Sequence, residues 1–412
     1  MKHSLKMESD NDSLRSINRS KILNLLQKKE SLARNQIADY IGLTAASVTR
    51  IVNECIDAEL IIEQKNADST SGAGRRPIPL SLNPKTYFVT GVHLGKFWID
   101  IGLLNLSGEV ISYSRYNRPN NVTDTLNLIK RTITDFQNQY NARILSIGVT
   151  LYGQVDIHKG TILEQNVLGW ESAPIRSWLE TELGINTVMD TNIYSMAYAE
   201  YNSNPLPSDQ ALLFISIGTT IGIGTVVNNV VIRGKQGVAG ILEHYPWFES
   251  SPACECGKVG CITAVLSDRS LLEQAKNMHE ELHIQDINDL VTYSKNYPDI
   301  KQLLKKRAFK AGELIAKLAV LHDPARIVLS GSLLIDGYQQ MEWVQESFKN
   351  IMNPVNGKYA YIENPTSRYS NVPFTLIGAG TIAINKSLSS SLLLKKDPTT
   401  NSTKGTVAYL PL

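Results

Sequence analysis

The spacing of apolar and polar residues changes character along this chain. In "LRSINRSKILNLLQ" the apolar positions Leu14, Ile17, Ile22, Leu25 and Leu26 recur on roughly one helical face. Two more helical runs follow in "RNQIADYIGLTAASVTRIVNECIDAELI", with Ile37, Ile41, Leu43, Val48 and Ile51 as the inner positions. "LIIEQ" and "PIPLSL" then read as two short strands. From Thr86 the pattern alternates between strands and helices. "YFVTGVHL", "FWIDIGLL" and "EVISYSRY" predict three strands, and "TLNLIKRTITDFQNQY" a helix. The strand "ILSIGVTLYG", a helix in "PIRSWLETELG" stopped by Gly184, the strand "INTVMD" and the helix "NIYSMAYAEYN" come next. A second lobe opens with "ALLFISIGTTIGIGTVVNN". It continues through long helices, the strand "ARIVLSG", a helix through "WVQESFKNIM" and a strand in "VPFTLIGAG". The fold class is α/β with two mixed-sheet lobes, and no repeat is visible in the residues themselves.

The first unit carries a specific local pattern. Ala38, Gly42 and Val48 sit at helix-turn-helix spacing: a small residue where two helices cross, glycine for a positive φ at the turn, and an apolar inner residue. Thr44 is placed to cap the second helix. The outer face of that helix shows Ala45, Ala46, Ser47, Thr49, Arg50 and Asn53, small and polar residues suited to a major groove. An ordinary helical hairpin is the plainer alternative. The two short strands that follow have the form of a wing. Their joint, "KNADSTSGAGRRP", is rich in glycine and serine and ends in Arg75 and Arg76 beside Pro77. Two adjacent guanidinium groups on an extended backbone suit a narrow A·T-rich minor groove; a solvated basic linker is the alternative.

Composition narrows the partners. The 412 residues are 42% hydrophobic and 19% charged with net charge +2, which predicts two or three globular domains and no strongly polyanionic partner from charge alone. No run has the length and apolarity of a membrane span, and the first residues lack an apolar signal core, so a cytoplasmic protein with reduced thiols is expected. Of four cysteines, three lie in "HYPWFESSPACECGKVGC". Thiolates and a neutral imidazole suit zinc, and His244, Cys254, Cys256 and Cys261 complete a tetrahedron. Four protein ligands leave no open position, so the expected zinc is structural. A reduced loop without metal is the alternative. Cys55, far away in a helical pattern, is expected to be a small core residue.

These motifs together resemble the ROK family, whose members are sugar kinases and sugar-responsive repressors on one actin-like kinase fold. The carriers are the helix-turn-helix, "GRRP", "GVTLYGQVD", "NVLGWESAPIRSWLETELG", "GTTIGIG" and the His244–Cys261 loop. The resemblance implies an N-terminal winged helix-turn-helix over residues 11–82, a two-lobed actin-like sugar-kinase (ROK) effector and dimerisation domain over 86–390, and a tail over 391–412. It also implies that the zinc loop stands beside a sugar pocket in the cleft. His244 would then hold the metal with one ring nitrogen and face the ligand with the other, while Asp190 in "VMDTN" would stand where the kinases keep their catalytic base. A helix N-cap is the alternative role for Asp190.

The departures from the family matter as much. Where the kinases carry an Asp–x–Gly–Gly–Thr phosphate loop, this chain has "HLGKFW": His93 replaces the aspartate, Lys96 the second glycine and Phe97 the threonine. That change argues against ATP–Mg²⁺. Met189, Ile241 and Thr263 replace an asparagine and two glutamates of the sugar pocket, which points to a less hydroxylated ligand or to control by a protein partner. The expected protein is a transcriptional regulator, most simply a repressor of carbohydrate uptake or catabolism genes. It would bind operator DNA as a homodimer, with a tetramer as the larger alternative, and answer to a carbohydrate-like effector or a protein partner. A ROK sugar kinase is the runner-up.

Overall fold

A computed structural model describes residues 2–64, 77–166, 168–170, 173–249, 252–335, 339–352, 362–365 and 372–389. Arg75, Arg76 and the tail 391–412 lie outside these. The chain divides into two compact units, Met1–Tyr87 with Asn385–Leu412, and Phe88–Ile384.

In the first unit a long helix α1 (Lys2–Lys29) leads into β1 (Leu32–Ala33), α2 (Arg34–Ile41), α3 (Ala45–Asp57), β2 (Ile61–Glu63) and β3 (Pro79–Leu82). The strands form an antiparallel sheet in the order β1-β3-β2, so the wing has a third strand contributed from before α2. Gly42 ends α2 at φ +67°, its N–H donating to the Ala38 carbonyl, which is the left-handed C-cap that glycine adopts without strain. Thr44 then caps α3, its hydroxyl accepting from the Ser47 N–H at 3.2 Å. Ile22, Leu23, Leu26, Ile37, Val48, Ile51 and Val52 close the core. Leu14 and Ile17 do not join it: they are 58% and 49% exposed. Their periodicity marks one face of α1, but the neighbouring helices cover only its later turns. Cys55 is fully buried, as expected of a core residue.

The second unit holds two lobes. The first contains β4 (Tyr87–Leu94), β5 (Trp98–Asn105), β6 (Val110–Asn117), α4 (Val122–Tyr140), β7 (Arg143–Leu151), the hairpin β8 (Gly153–Asp156) and β9 (Thr161–Asn166), α5 (Ile175–Leu183) and β10 (Asn186–Thr191). Helix α6 (Asn192–Ser203) crosses to the second lobe. That lobe contains β11 (Ala211–Ile217), β12 (Ile221–Val227), β13 (Val230–Val231), α7 (Ile262–Leu266), α8 (Asp268–Met278), α9 (Ile287–Tyr293), α10 (Pro298–His322), β14 (Arg326–Gly331), α11 (Gln339–Met352) and β15 (Ile362–Glu363). The sheets run β10-β7-β4-β5-β6 and β13-β12-β11-β14-β15. In each, three consecutive strands form an antiparallel meander, the fourth strand lies beside the first, and the fifth lies beside the fourth. The duplication absent from the residues is therefore present in the topology.

The segment "VPFTLIGAG" departs from its predicted strand. It opens the helix α12 (Phe374–Ser389). Its aromatic and branched residues carry strand propensity, but they stand at a buried crossing where packing decides. Leu376, Ile377, Ala379, Ala383 and Ile384 are buried along it. The glycines explain how the helix fits. A Cβ on Gly148 of β7 would collide with the Ala379 carbonyl, and one on Gly91 of β4 would lie 2.9 Å from the Gly380 nitrogen. On the far side, a Cβ on Gly378 would meet the Ser195 hydroxyl of α6 at 2.8 Å. Helices α6 and α12 thus fill the space between the lobes. Helices α4 and α5 cover the outer face of the first sheet, and α10 and α11 that of the second.

Candidate functional site

Three places in the two units carry chemistry. The first is the exposed face of α3. Ala45, Ala46, Thr49, Arg50 and Asn53 face solvent, while Ser47 is half-buried. The Thr49 hydroxyl is turned back to the Ala45 carbonyl at 2.8 Å. Arg34, a residue that sequence reasoning passed over, donates to the Asn53 side-chain oxygen at 3.2 Å and pairs with Glu63 of the wing at 2.9 Å. It ties α2, α3 and β2 together and orients Asn53. Arg50 is exposed and engages no described residue by hydrogen bond or ion pair, so its guanidinium is available to an outside partner.

The second place is the loop after β13. One nitrogen or sulfur atom from each of His244, Cys254, Cys256 and Cys261 lies within 4.8 Å of the other three. The His244 Nδ1 is 3.4 Å from the Cys254 Sγ, and the Cys256 and Cys261 sulfurs are 3.5 Å apart. A tetrahedral zinc with bonds of about 2.0–2.3 Å needs ligand separations of roughly 3.5–3.8 Å, so the four residues fit that ion. Gly257 and Gly260 turn the loop at φ +83° and +81°. A Cβ on Gly260 would strike the Phe248 carbonyl, so glycine is required there.

The third place is a cavity of about 700 Å³ within the second unit. Tyr152, Gln154, Thr191, Asn192, Ser216, Glu243, His244 and Lys258 give it polar walls, and Ile193, Ile221 and Ile241 apolar ones. Of Met189, Ile241 and Thr263, Ile241 stands on the wall and the other two do not, while Glu243, two residues on, brings a carboxylate to the same wall. Burial pushes that carboxyl above the usual range. The Thr191 hydroxyl is buried and makes no hydrogen bond with a described residue. The cavity is therefore better supplied with hydrogen-bonding groups than the three lost positions suggest. Glu243 was legible as an acid next to His244; Thr191, Asn192 and Tyr152 had no signal beyond their place at strand ends.

The structure places Asp190 behind this wall. It is 4% exposed and is absent from the cavity lining. Its carboxylate accepts from Arg233 and from the Thr191 N–H. The N-cap of α6 is Thr191, one residue later than the alternative reading of Asp190 has it. Burial raises the Asp190 carboxyl, against the opposing pull of Arg233.

The loop at "HLGKFW" joins β4 to β5 with Gly95 N–H donating to the Trp98 carbonyl at 2.9 Å. Phe97 is 64% exposed, with the Lys96 ammonium 5.4 Å from its ring centre. His93 is buried, its Nδ1 3.2 Å from the Thr150 hydroxyl and its ring edge-on to Tyr152 of the cavity wall. Asp100 stands opposite His93 across the β4–β5 pair and is held by Arg115 and Tyr113 at 2.7 Å each. Across the second lobe, the turn at Gly218 faces a carboxylate. Asp268 accepts from Arg307 at 2.7 Å and from Ser332, and its other oxygen lies 3.4 Å from the Thr219 hydroxyl.

His93 supplies a pH prediction. Burial, opposed by Asp100, lowers its pKa from 6.5 to about 4. The folded state therefore keeps His93 neutral while the unfolded chain protonates below pH 6.5. Stability from this group is complete at pH 7, falls as pH drops through 6.5, and levels off below pH 4. At pH 5 the loss is about 2 kcal/mol. Urea midpoints at pH 7 and pH 5 should show this drop in the native protein and a smaller one in His93→Gln. An equal drop in both would assign the acid sensitivity elsewhere.

Comparison with known proteins agrees with this architecture. The profile of the ROK family matches residues 89–385, and that of a winged helix-turn-helix DNA-binding domain matches residues 15–62. The xylose repressor of Bacillus spizizenii is 24% identical over 384 residues, covering 91% of this chain and 97% of the repressor. The DNA-binding transcriptional dual regulator NagC of Escherichia coli K12 is 24% identical over 334 residues, covering 78% and 82%. Among solved structures, a ROK family transcriptional regulator described as a homolog of the E. coli MLC protein shares the fold at TM-score 0.76 and 23% identity, over 92% of this chain and 98% of that one. The ROK hexokinase of Thermus thermophilus matches at TM-score 0.61 and 23% identity, over 71% and 96%. No helix among the described residues is long and apolar enough to cross a membrane. With the family profile covering well over half of its length, the chain belongs to the ROK family.

Proposed function

We propose that this protein is a DNA-binding transcriptional repressor of carbohydrate uptake or catabolism genes, controlled by a small polar ligand in the cavity of its ROK unit. The observation that carries this is a winged helix-turn-helix with a free Arg50 face on the same chain as a polar cavity. Arg50 reads a base edge or holds a phosphate, with Thr44, Ala45, Ser47, Thr49 and Asn53 around it. Arg75 and Arg76 reach the adjacent minor groove. Two recognition helices meet two half-sites about one DNA turn apart, so the working form is a homodimer. Zinc on His244, Cys254, Cys256 and Cys261 is structural. The ligand is a sugar or sugar-like molecule, a reading supported by the hydroxyl, amide and carboxylate groups of the wall and by relatives named for xylose and N-acetylglucosamine.

Phosphotransfer is not part of this function. His93 and Phe97 replace the residues that would handle magnesium and phosphate. Asp190 is bound to a guanidinium, which opposes its acting as a base. Selection of genomic fragments by the zinc-loaded protein, with and without D-xylose, D-glucose and N-acetylglucosamine, tests the proposal. Fragments carrying inverted half-sites should be enriched, and one sugar should release them. Absence of enrichment at low salt would defeat the DNA-binding reading. ADP release with ATP–Mg²⁺ and the same sugars should stay at background; turnover abolished by Asp190→Ala would restore the kinase.

A further inference from the structure

The segment 233–244 ends on one wall of the cavity, which Ile241, Glu243 and His244 line, and it is pinned nearer its start. Arg233 at its start pairs with Asp190 at the end of β10, and the same guanidinium carbon lies 5.5 Å from the centre of the Tyr194 ring. The Tyr194 hydroxyl donates to the carbonyls of Gly237 at 3.1 Å and Ala239 at 2.7 Å. The Gly240 carbonyl accepts from the Ile223 N–H of β12 at 3.0 Å, with Gly240 at φ +85° against the Ile223 carbonyl, a position only glycine fits. Beyond these anchors the segment delivers Ile241, Glu243 and His244 to the cavity, and His244 to the metal cluster. Asp190 is buried outside the cavity lining, while its neighbours Thr191 and Asn192 line it.

We propose that Asp190 is a positioning residue: through Arg233 it fixes the segment 233–244, and so sets the placement of Glu243 and His244 on the cavity wall. The physical reason is the cost of an unpaired charge. Arg233 is largely covered, with its Nε buried and lacking a partner among the described residues. Asp190 is almost wholly covered. Each charge is tolerated there because the other is present, and removing either leaves the survivor to seek water. Arg233 is the member with a route to solvent, so loss of the pair lifts the start of the segment away from β10. Tyr194 then loses its stacked cation, and the carbonyls of Gly237 and Ala239 lose a well-placed donor. The lining groups at the far end of the segment become mobile in turn. This inference rests on reading the cavity as the effector site only for its consequence on binding. The pinning of the segment stands apart from that reading.

The test uses the full-length, zinc-loaded protein and the variants Asp190→Asn, Arg233→Met and the double variant. Hydrogen exchange is followed on peptides from 233–244 and, as a reference for global stability, on those of β7. Each single variant should raise exchange in 233–244 by about tenfold or more with β7 unchanged, and the double variant should add nothing further, because both changes break one contact. Affinity for D-xylose, D-glucose and N-acetylglucosamine is measured in parallel. Whichever sugar binds the native protein should be weakened alike by all three variants. Unchanged exchange in both single variants would overturn the proposal. So would a sugar affinity lost in Asp190→Asn and kept in Arg233→Met, which would make Asp190 a direct contact. If no sugar binds the native protein, the effector reading of the cavity suffers, while the exchange result still decides the role of Asp190.

Discussion

Cys261→Ser should strip the metal from the ROK unit and lower its melting temperature by roughly 5–10 °C, the shift expected when a domain of this size loses on the order of 3 kcal/mol. Cys261 is fully buried at the start of α7, and it packs with Cys254 and Ala264 in a small cluster of its own. Phe248 anchors the start of the loop in the core of the second lobe, but the tip over residues 252–259 buries little besides Cys254. Isolated bridges join Pro246 to Cys261 and Ala253 to Val259, the Cys254 N–H donates to the Lys258 carbonyl at 2.8 Å, and Glu255, Cys256, Lys258 and Val259 are exposed. A segment with so little apolar burial depends on its cross-link, and metal binding is then folding free energy. The effect reaches the cavity because His244, Tyr245, Pro246 and Lys258 belong to both loop and lining. Elemental analysis should find about one zinc per native chain and almost none in the variant. Calorimetry should place the loss in the transition of this unit. Cys55→Ala is the control: that thiol lies in the core of the other unit, so zinc content should be unchanged. A fully folded native protein without zinc, melting as high as a metal-loaded sample, would remove the claim.

The cluster was legible because its chemistry is local. Four candidate ligands of two kinds and two glycines fall within one short stretch, so one loop brings them together. The helix-turn-helix was legible for the same reason: Ala38, Gly42, Thr44 and Val48 each meet a local demand of a crossing, a turn, a cap or a core. Non-local demands were harder to see. "VPFTLIGAG" reads as a strand when judged by propensity, because nothing within it announces that Gly378 and Gly380 answer to Ser195, Leu104 and Gly91 on other elements. The duplicated sheet topology was hidden likewise, since a sheet preserves its strand order while its side chains change. In the cavity, positions aligned with lost family residues pointed to a less hydroxylated ligand or to a protein partner. The structure instead brings Glu243 and Thr191 to the wall, one from beside His244 and one from the end of β10. The partner of Asp190 illustrates the limit most plainly. Arg233 is 43 residues away in sequence, and no pattern in "VVIRGKQG" links it to "VMDTN".

Arg50→Ala should weaken operator binding by roughly 1–3 kcal/mol, a loss of about five- to 150-fold, if its guanidinium reads a base edge. The helix face leaves few other candidates for that task. Ala45 and Ala46 offer only methyl contacts, the Thr49 hydroxyl is spent on the Ala45 carbonyl, and Asn53 shares its oxygen with Arg34. Arg50 alone brings several unpaired donors, and arginine paired to guanine in the major groove is a common specific contact. The variant should fold normally, because Arg50 is exposed and engages no described residue. Arg34→Ala is a useful contrast. It removes the tie between α2, α3 and β2, so it should lower the stability of the first unit and free Asn53, with a smaller change in base preference. The arginines of "GRRP" are separated from both by salt and flanking sequence. Alanine at Arg75 and Arg76 should weaken binding most on A·T-flanked operators and flatten the salt dependence, since fewer counterions are released. Titrations of the three variants against one operator, with A·T or G·C flanks and at several salt concentrations, distinguish these roles. Relaxed preference at one base position in Arg50→Ala alone identifies direct readout. A uniform loss across all sequences with a reduced salt slope would make Arg50 a phosphate contact, and would leave recognition to the small residues of α3 and the shape of the groove.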